Sequence, residues 1–332
     1  MGYSDLDYVT LSAMLNARRA RMLSSEICDR MLMAPTYEEA AKEILEIGYE
    51  DMSAMSEQQI LETLSKRNEE MMQELQKLCP SPHVLDIFRL KYDYHNIKVL
   101  IKSEAQEKES DDLISHSGRV SFELLADAFE RDDYSRLPKT LGEAVVKTKA
   151  TLHRTQNPQL ADFEADRAYF KEMKELAKLT ESKFIEEYVG FLIDSVNLKT
   201  AVRAKKMNKD EEFLATVLLE GGSIAPDKIA EAASQGGEAL QALYESGLLK
   251  DAAVAGAEVM AGGEMTKFEK LIDNAERQTL RKGRIKPFGI EVVAEYLSLM
   301  ESEIMALRMI LRGRRSGLKP ALIRERLREI DA

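Results

Sequence analysis

Apolar residues recur three and four apart along nearly the whole chain, so almost every segment reads as an amphipathic helix. From Leu11 to Met33 they run among Arg18, Arg19 and Arg21 as one long helix, which stops at Pro35. Thr36-x-x-Glu39 and Ser56-x-x-Gln59 have the form of capping boxes, each setting a side-chain acceptor on free backbone donors at a helix start, and they open two short helices. Cys79-Pro80-Ser81-Pro82 breaks the chain again, and Pro82 suits the first turn of the next helix because its missing N–H has no partner to lose there.

That next helix carries the first of three copies of a ten-residue pattern. It reads Asp93-Tyr-His-Asn96-Ile97-Lys98-Val-Leu100-Ile101-Lys102, then Asp194-Ser-Val-Asn197-Leu198-Lys199-Thr-Ala201-Val202-Arg203, then Glu303-Ile-Met-Ala306-Leu307-Arg308-Met-Ile310-Leu311-Arg312. The acids stand 101 and 109 residues apart. A second echo supports the period: Leu137-Pro138-Lys139-Thr140-x-x-Glu143 repeats Ala34-Pro35-Thr36-x-x-Glu39, with the threonines 104 residues apart. Self-similarity at a fixed period marks one helical unit built three times, and so a pseudo-symmetric ring or funnel. Charged stretches after two of the copies, Glu104 to Asp112 and Lys205 to Glu212, put the unit boundaries at 1–106, 107–208 and 209–332. Gly221-Gly222, Gly236-Gly237 and Gly262-Gly263 make the third unit the most diverged.

Within each copy the acid, the residue three on and the apolar residues four, seven and eight on share one helix face. Leu90, Phe191 and Met300 precede the three acids by three residues, so each acid is embedded in a core stripe. An unpaired carboxylate there costs several kcal/mol. Donors are expected from backbone at a neighbouring helix start or from the amides of Asn96 and Asn197. Acid and Asn are read as a device that fastens helices inside each unit, in preference to a proton-handling or ligand site, because a packing device must appear in every copy. Ala306 leaves the third copy with Glu303 alone.

The basic residues of each copy lie four apart, Lys98/Lys102, Lys199/Arg203 and Arg308/Arg312, and give each helix a basic edge. With Lys205, Lys206, Arg277, Arg281, Lys282, Arg284, Lys286, Arg314, Arg315 and Lys319, they point to a local basic surface for acidic protein partners.

Composition narrows the rest. Apolar residues make up 44% and charged residues 32%, with 17 Gly, 8 Pro and no Trp, a balance that suits long surface helices. The net charge of −11 argues against nucleic acid. Cys28 and Cys79 lack any C-x-x-C spacing and read as buried free thiols in a reducing compartment. No run approaches the roughly 18–20 apolar residues of a membrane span. Gly2-Tyr3-Ser4-Asp5 lacks the charge of a signal peptide, and Leu6 stands where a myristoylation site wants Ser or Thr. The chain is expected to be soluble and intracellular. Neither phosphate-cradling Gly motif occurs, and His83, His95, His116 and His153 have no metal-ligand spacing. No enzyme, metal, cofactor or small-molecule substrate is expected.

The Lys91-Tyr92-Asp93-Tyr94-His95-Asn96-Ile97-Lys98 segment and its echoes, with the Asn16-Ala17-Arg18 region and the Arg308 to Gly313 ending, resemble the C subunit of the bacterial and archaeal V/A-type ATP synthases, the relative of the eukaryotic vacuolar (V-type) ATPase d subunit. The resemblance implies an all-α fold of three similar helical units in a pseudo-threefold arrangement forming a funnel. It also implies a non-catalytic rotor subunit on the proteolipid ring, peripheral at the cytoplasmic membrane face. Its cavity would receive central-stalk subunits, and torque would pass through it for proton or sodium transport. The six basic edge residues are the expected partner contacts. A soluble helical adaptor with no rotary role is the competing reading.

Overall fold

Residues 3–106 and 113–330 are described by the structure, a computed structural model. Met1 and Gly2 of the lipid-attachment reading, and most of the charged stretch taken as the first unit boundary, lie outside them. Among the described residues there is no β-strand.

The N-terminal region departs from its predicted single helix. It forms α1 (Val9–Arg19) and α2 (Ser25–Met33), separated by a turn in which Ser24 caps α2 by accepting from the Ile27 N–H. The break has no Gly or Pro to announce it. Thr36 caps the short α3 (Tyr37–Lys42) through the Glu39 N–H. Ser56 and Gln59 form a reciprocal capping box, and it opens a long helix, α4 (Glu57–Leu78), where a short one was predicted. Pro82 begins α5 (Pro82–Gln106), the helix of the first motif copy.

The chain continues through α6 (Phe122–Glu130), α7 (Lys139–Thr155) and α8 (Pro158–Leu179) to α9 (Lys183–Lys206), which carries the second copy. The echo at Thr140 is one of sequence only: Pro138 is the N-cap of α7, and Thr140 lies inside the first turn. Short helices follow, α10 (Glu211–Val217), α11 (Pro226–Gln235), α12 (Gly237–Ala242) and α13 (Lys250–Met260), then α14 (Met265–Leu280). The third copy lies on α15 (Ile290–Arg315), and α16 (Pro320–Arg326) ends the description of helices.

The three motif helices are buried on more than one side. In α15 the run Val292-Val293-Ala294-Glu295-Tyr296-Leu297 is wholly buried, which takes neighbours all round the helix. The packing order closes on itself: α4 lies against α5, α5 against α8, α8 against α9, α9 against α14, α14 against α15, and α15 back against α4. Two cores support this order. One gathers α1 to α5, the α6 to α8 region, the first half of α9 and α15; the other packs the second half of α9, from Leu198 and Val202, against Leu214, Ile229, Val259, Phe268 and Ile272.

Candidate functional site

Each acid of the repeated pattern lands on the loop just ahead of a later or earlier helix. Asp93 is fully buried on α5, and its Oδ1 accepts from the backbone N–H of Arg119 at 2.8 Å and of Val120 at 3.1 Å. Ser121, next in the chain, caps α6. On α9, Asp194 accepts from the Ser223 N–H at 2.9 Å and from the Ile224 N–H at 3.4 Å, and Ala225 then stands at the N-cap position of α11, without a side-chain cap. On α15, Glu303 Oε2 accepts from the Leu23 N–H at 2.7 Å, and Ser24 caps α2. Each carboxylate therefore serves the residue immediately before an N-cap. The first two clasps join residues on opposite sides of the expected unit boundaries, where fastening inside a unit was expected, and the third joins the two ends of the chain.

The asparagines do different work from the acids. Asn96 donates to the Ser115 carbonyl at 2.8 Å and accepts from the Ser115 N–H at 2.9 Å. Asn197 makes the same pair of bonds with Leu219, both at 2.8 Å. One amide side chain thus replaces the missing backbone partners of one loop residue. In the third copy Ala306 offers no such group, and Glu303 instead takes a second bond from the Tyr49 hydroxyl at 2.7 Å.

Between the residue held by Asn and those held by Asp stands a glycine. A Cβ on Gly118 or on Gly222 would meet the carboxylate oxygen of Asp93 or Asp194 well inside van der Waals contact. Ser115, Gly118 and Val120 precede Leu219, Gly222 and Ile224 by 104 residues. This loop signature could have been found in the sequence as a further repeat. It was missed because the loops resemble each other only in the glycine and lie far from the acids they meet.

The clasps differ in charge. Arg119 donates its Nε to Asp93 Oδ2 at 2.7 Å and another nitrogen to Glu172 at 2.8 Å, and Glu172 also accepts from the Tyr94 hydroxyl at 2.8 Å. Burial pushes the Asp93 carboxyl above the usual carboxylate range, while the Arg119 charge and the loop N–H groups pull it back. Burial works against the Arg119 charge too, but Asp93 and Glu172 outweigh it and raise its pKa. Glu303 is likewise raised by burial, against the bonds from Leu23 and Tyr49.

The six basic edge residues are engaged within the chain. Lys98 pairs with Asp166, and Lys102 with Asp162 at 2.7 Å, both on α8. Lys199 pairs with Asp273 at 3.1 Å and Glu276 at 3.4 Å, and Arg203 with Glu269 at 2.6 Å, all on α14. Arg308 donates to the Ser65 hydroxyl at 3.1 Å, and Arg312 pairs with Glu57 at 3.0 Å, both on α4. These are three seams between neighbouring helices, where open basic edges were expected. Of the five that form ion pairs, Arg203 and Arg312 keep more than half of the side chain exposed, at 56% and 75%. Cys28 and Cys79 are buried free thiols, and burial pushes each up to about 12, which leaves them protonated and inert.

A family model described as ATP synthase (C/AC39) subunit matches residues 11–326. The chain belongs to that family. The C subunit of a V-type sodium ATPase from Enterococcus hirae is 25% identical over 332 residues, covering 98% of this chain and 99% of the relative. The C subunit of an A-type ATP synthase from Methanocaldococcus jannaschii is 28% identical, covering 74% of this chain and 65% of the relative. The C subunit of a V-type ATP synthase from Thermus thermophilus is 23% identical, covering 71% of each. As a member of the C/AC39 family the chain is a structural, non-catalytic subunit of a rotary ATPase, a complex that couples ATP chemistry to ion transport. No described helix is long and apolar enough to cross a membrane.

Proposed function

We propose that this subunit is the connector of the rotor, seated on the membrane proteolipid ring and receiving central-stalk subunits in a funnel. The funnel would consist of three similar helical units, 1–106, 107–208 and 209–332, in pseudo-threefold order, and the eukaryotic d subunit would be its relative. The observation that carries this reading is the bond from the Leu23 N–H to Glu303, which ties the last long helix to the start of the chain. With the closed packing order, it makes one body that resists opening under torque.

The six basic residues hold the seams of this body, and Arg203 and Arg312 remain available to an acidic partner. The subunit is peripheral, at the cytoplasmic face, and its association runs through the ring.

The test is purification of the tagged chain from mildly solubilised native membranes. Recovery of a small proteolipid with stalk subunits is the expected result. Soluble partners alone, from a preparation in which the ATPase stays intact, would replace the rotor reading with that of an adaptor.

A further inference from the structure

The helices of the closed packing order alternate in direction. Lys98 and Lys102 on α5 meet Asp166 and Asp162 on α8, and Lys199 and Arg203 on α9 meet Asp273 and Glu269 on α14. Arg308 and Arg312 on α15 meet Ser65 and Glu57 on α4. In each seam one helix advances as the other recedes. The pairs α4–α5, α8–α9 and α14–α15 are joined by short connections and pack on each other, so they too run in opposite senses. The connections 79–81, 180–182 and 281–289 therefore gather at one end of the body.

All three tips of that end carry the same two features. Lys77-Leu78 and Lys178-Leu179 stand 101 residues apart, the spacing of Asp93 and Asp194. The longer connection into α15 carries Lys282 and Ile285. Leu78, Leu179 and Ile285 are 47%, 58% and 88% exposed. Lys77, Lys178 and Lys282 are exposed as well, and none has an ion pair or hydrogen bond among the described residues. The exposed Leu6 joins them, because its neighbour Asp5 pairs with Lys286 at 3.5 Å. Residues 77–83, 178–183 and 281–286 hold seven Lys and Arg against one acid, Glu181, in a chain of net charge −11. At the opposite end the arginines of α15 are engaged: Arg312 pairs with Glu57, and Arg314 and Arg315 donate to the carbonyls of Ala34 and Met55.

We propose that the end formed by these three tips docks on an anionic lipid surface, with Lys77, Lys178 and Lys282 on headgroup phosphates and Leu78, Leu179 and Ile285 among the upper acyl carbons. A single exposed leucine needs no explanation. An aliphatic side chain with an unpaired lysine on every tip of one end does. Composition separates lipid from protein here: protein contacts are enriched in aromatic residues and Arg and depleted in Lys. A lipid contact takes aliphatic side chains beside lysines whose ammonium groups stay in the headgroup layer. Three separate points also suit a flat surface better than a packed protein core. The proposal goes beyond seating on the ring, because the isolated chain should show it.

Sedimentation of the full chain with lipid vesicles tests it. Binding is expected to an equal mixture of phosphatidylglycerol and phosphatidylcholine, at least tenfold tighter than to phosphatidylcholine alone. Combining Lys77→Gln, Lys178→Gln and Lys282→Gln should weaken it about 100-fold, at roughly fivefold per lysine. The combination of Lys205→Gln, Lys206→Gln and Lys209→Gln removes the same charge from the far end of α9. That helix is 24 residues long, or about 36 Å, several times the screening length of about 8 Å at physiological salt. This second triple should bind as the parent does. Leu78→Ser, Leu179→Ser and Ile285→Ser together should weaken binding about tenfold or more. No preference for the anionic vesicles, or equal losses in the two lysine triples, would overturn the proposal. So would a first triple that binds vesicles normally but no longer recovers the proteolipid from membranes, which would make this end a protein contact. Vesicle binding by a parent chain that recovers no proteolipid would support the proposal and remove only the rotor reading.

Discussion

The clasps at Asp93 and Asp194 share a backbone and differ in what fills it. Both hold the residues ahead of a helix through two N–H groups, both need a glycine, and both use an Asn to hold the loop residue four positions upstream. Beside Asp93 a buried guanidinium and a second carboxylate complete the site; beside Asp194 there are hydroxyls and a cavity. The backbone bonds are thus the common requirement of the pattern, and the charged network is one way of filling the space next to them. Glu303 gives a third solution, in which Tyr49 supplies the extra donor.

The largest effect is expected at the charged clasp. Asp93→Ala orphans two loop N–H groups and leaves Arg119 with only Glu172, which should cost about 3–5 kcal/mol in urea denaturation. Asp194→Ala orphans N–H groups but no buried cation, so a smaller loss of about 2–3 kcal/mol is expected, read by the same titration. Equal losses would show that Arg119 contributes nothing beyond the shared backbone bonds. Gly118→Ala and Gly222→Ala press a methyl against the carboxylate and should each cost about 1–3 kcal/mol; a neutral result at either would show that the loop yields.

The smallest effect concerns pH at the third clasp. The folded-state pKa of Glu303 is raised, so the native chain keeps a proton that the unfolded chain releases near the ordinary glutamate value of about 4.3. Its contribution to stability is fully present below that value and is lost as pH rises through the folded pKa. The stability of the parent relative to Glu303→Gln should therefore fall from pH 4 to pH 7. A rise of the parent relative to Glu303→Gln over this range would mean that the bonds from Leu23 and Tyr49 outweigh burial.

Much of the helical order was legible in the sequence, because helix period, Pro82 and the Ser56 capping box act locally. The burial of the acids was legible too, since Leu90 and Met300 fix the face on which Asp93 and Glu303 lie. Their landing places were not, for a carboxylate on one helix meets backbone N–H groups that any residue type supplies. The break between α1 and α2 was hidden for the same reason. Apolar spacing continues through it, and what holds it open is Glu303, far along the chain. The acids that pair with the basic edges were not legible, because those on α4, α8 and α14 sit at no fixed distance in sequence.

Closure of the chain on itself through Glu303 is the central claim, and amide hydrogen exchange at Leu23 tests it most directly. In the parent this amide should exchange only with global unfolding. In Glu303→Ala it should exchange about 100-fold faster or more, while Val120 and Ile224, held by the other two acids, keep their protection relative to global stability. An unchanged rate at Leu23, or equal losses at all three amides, would contradict the account.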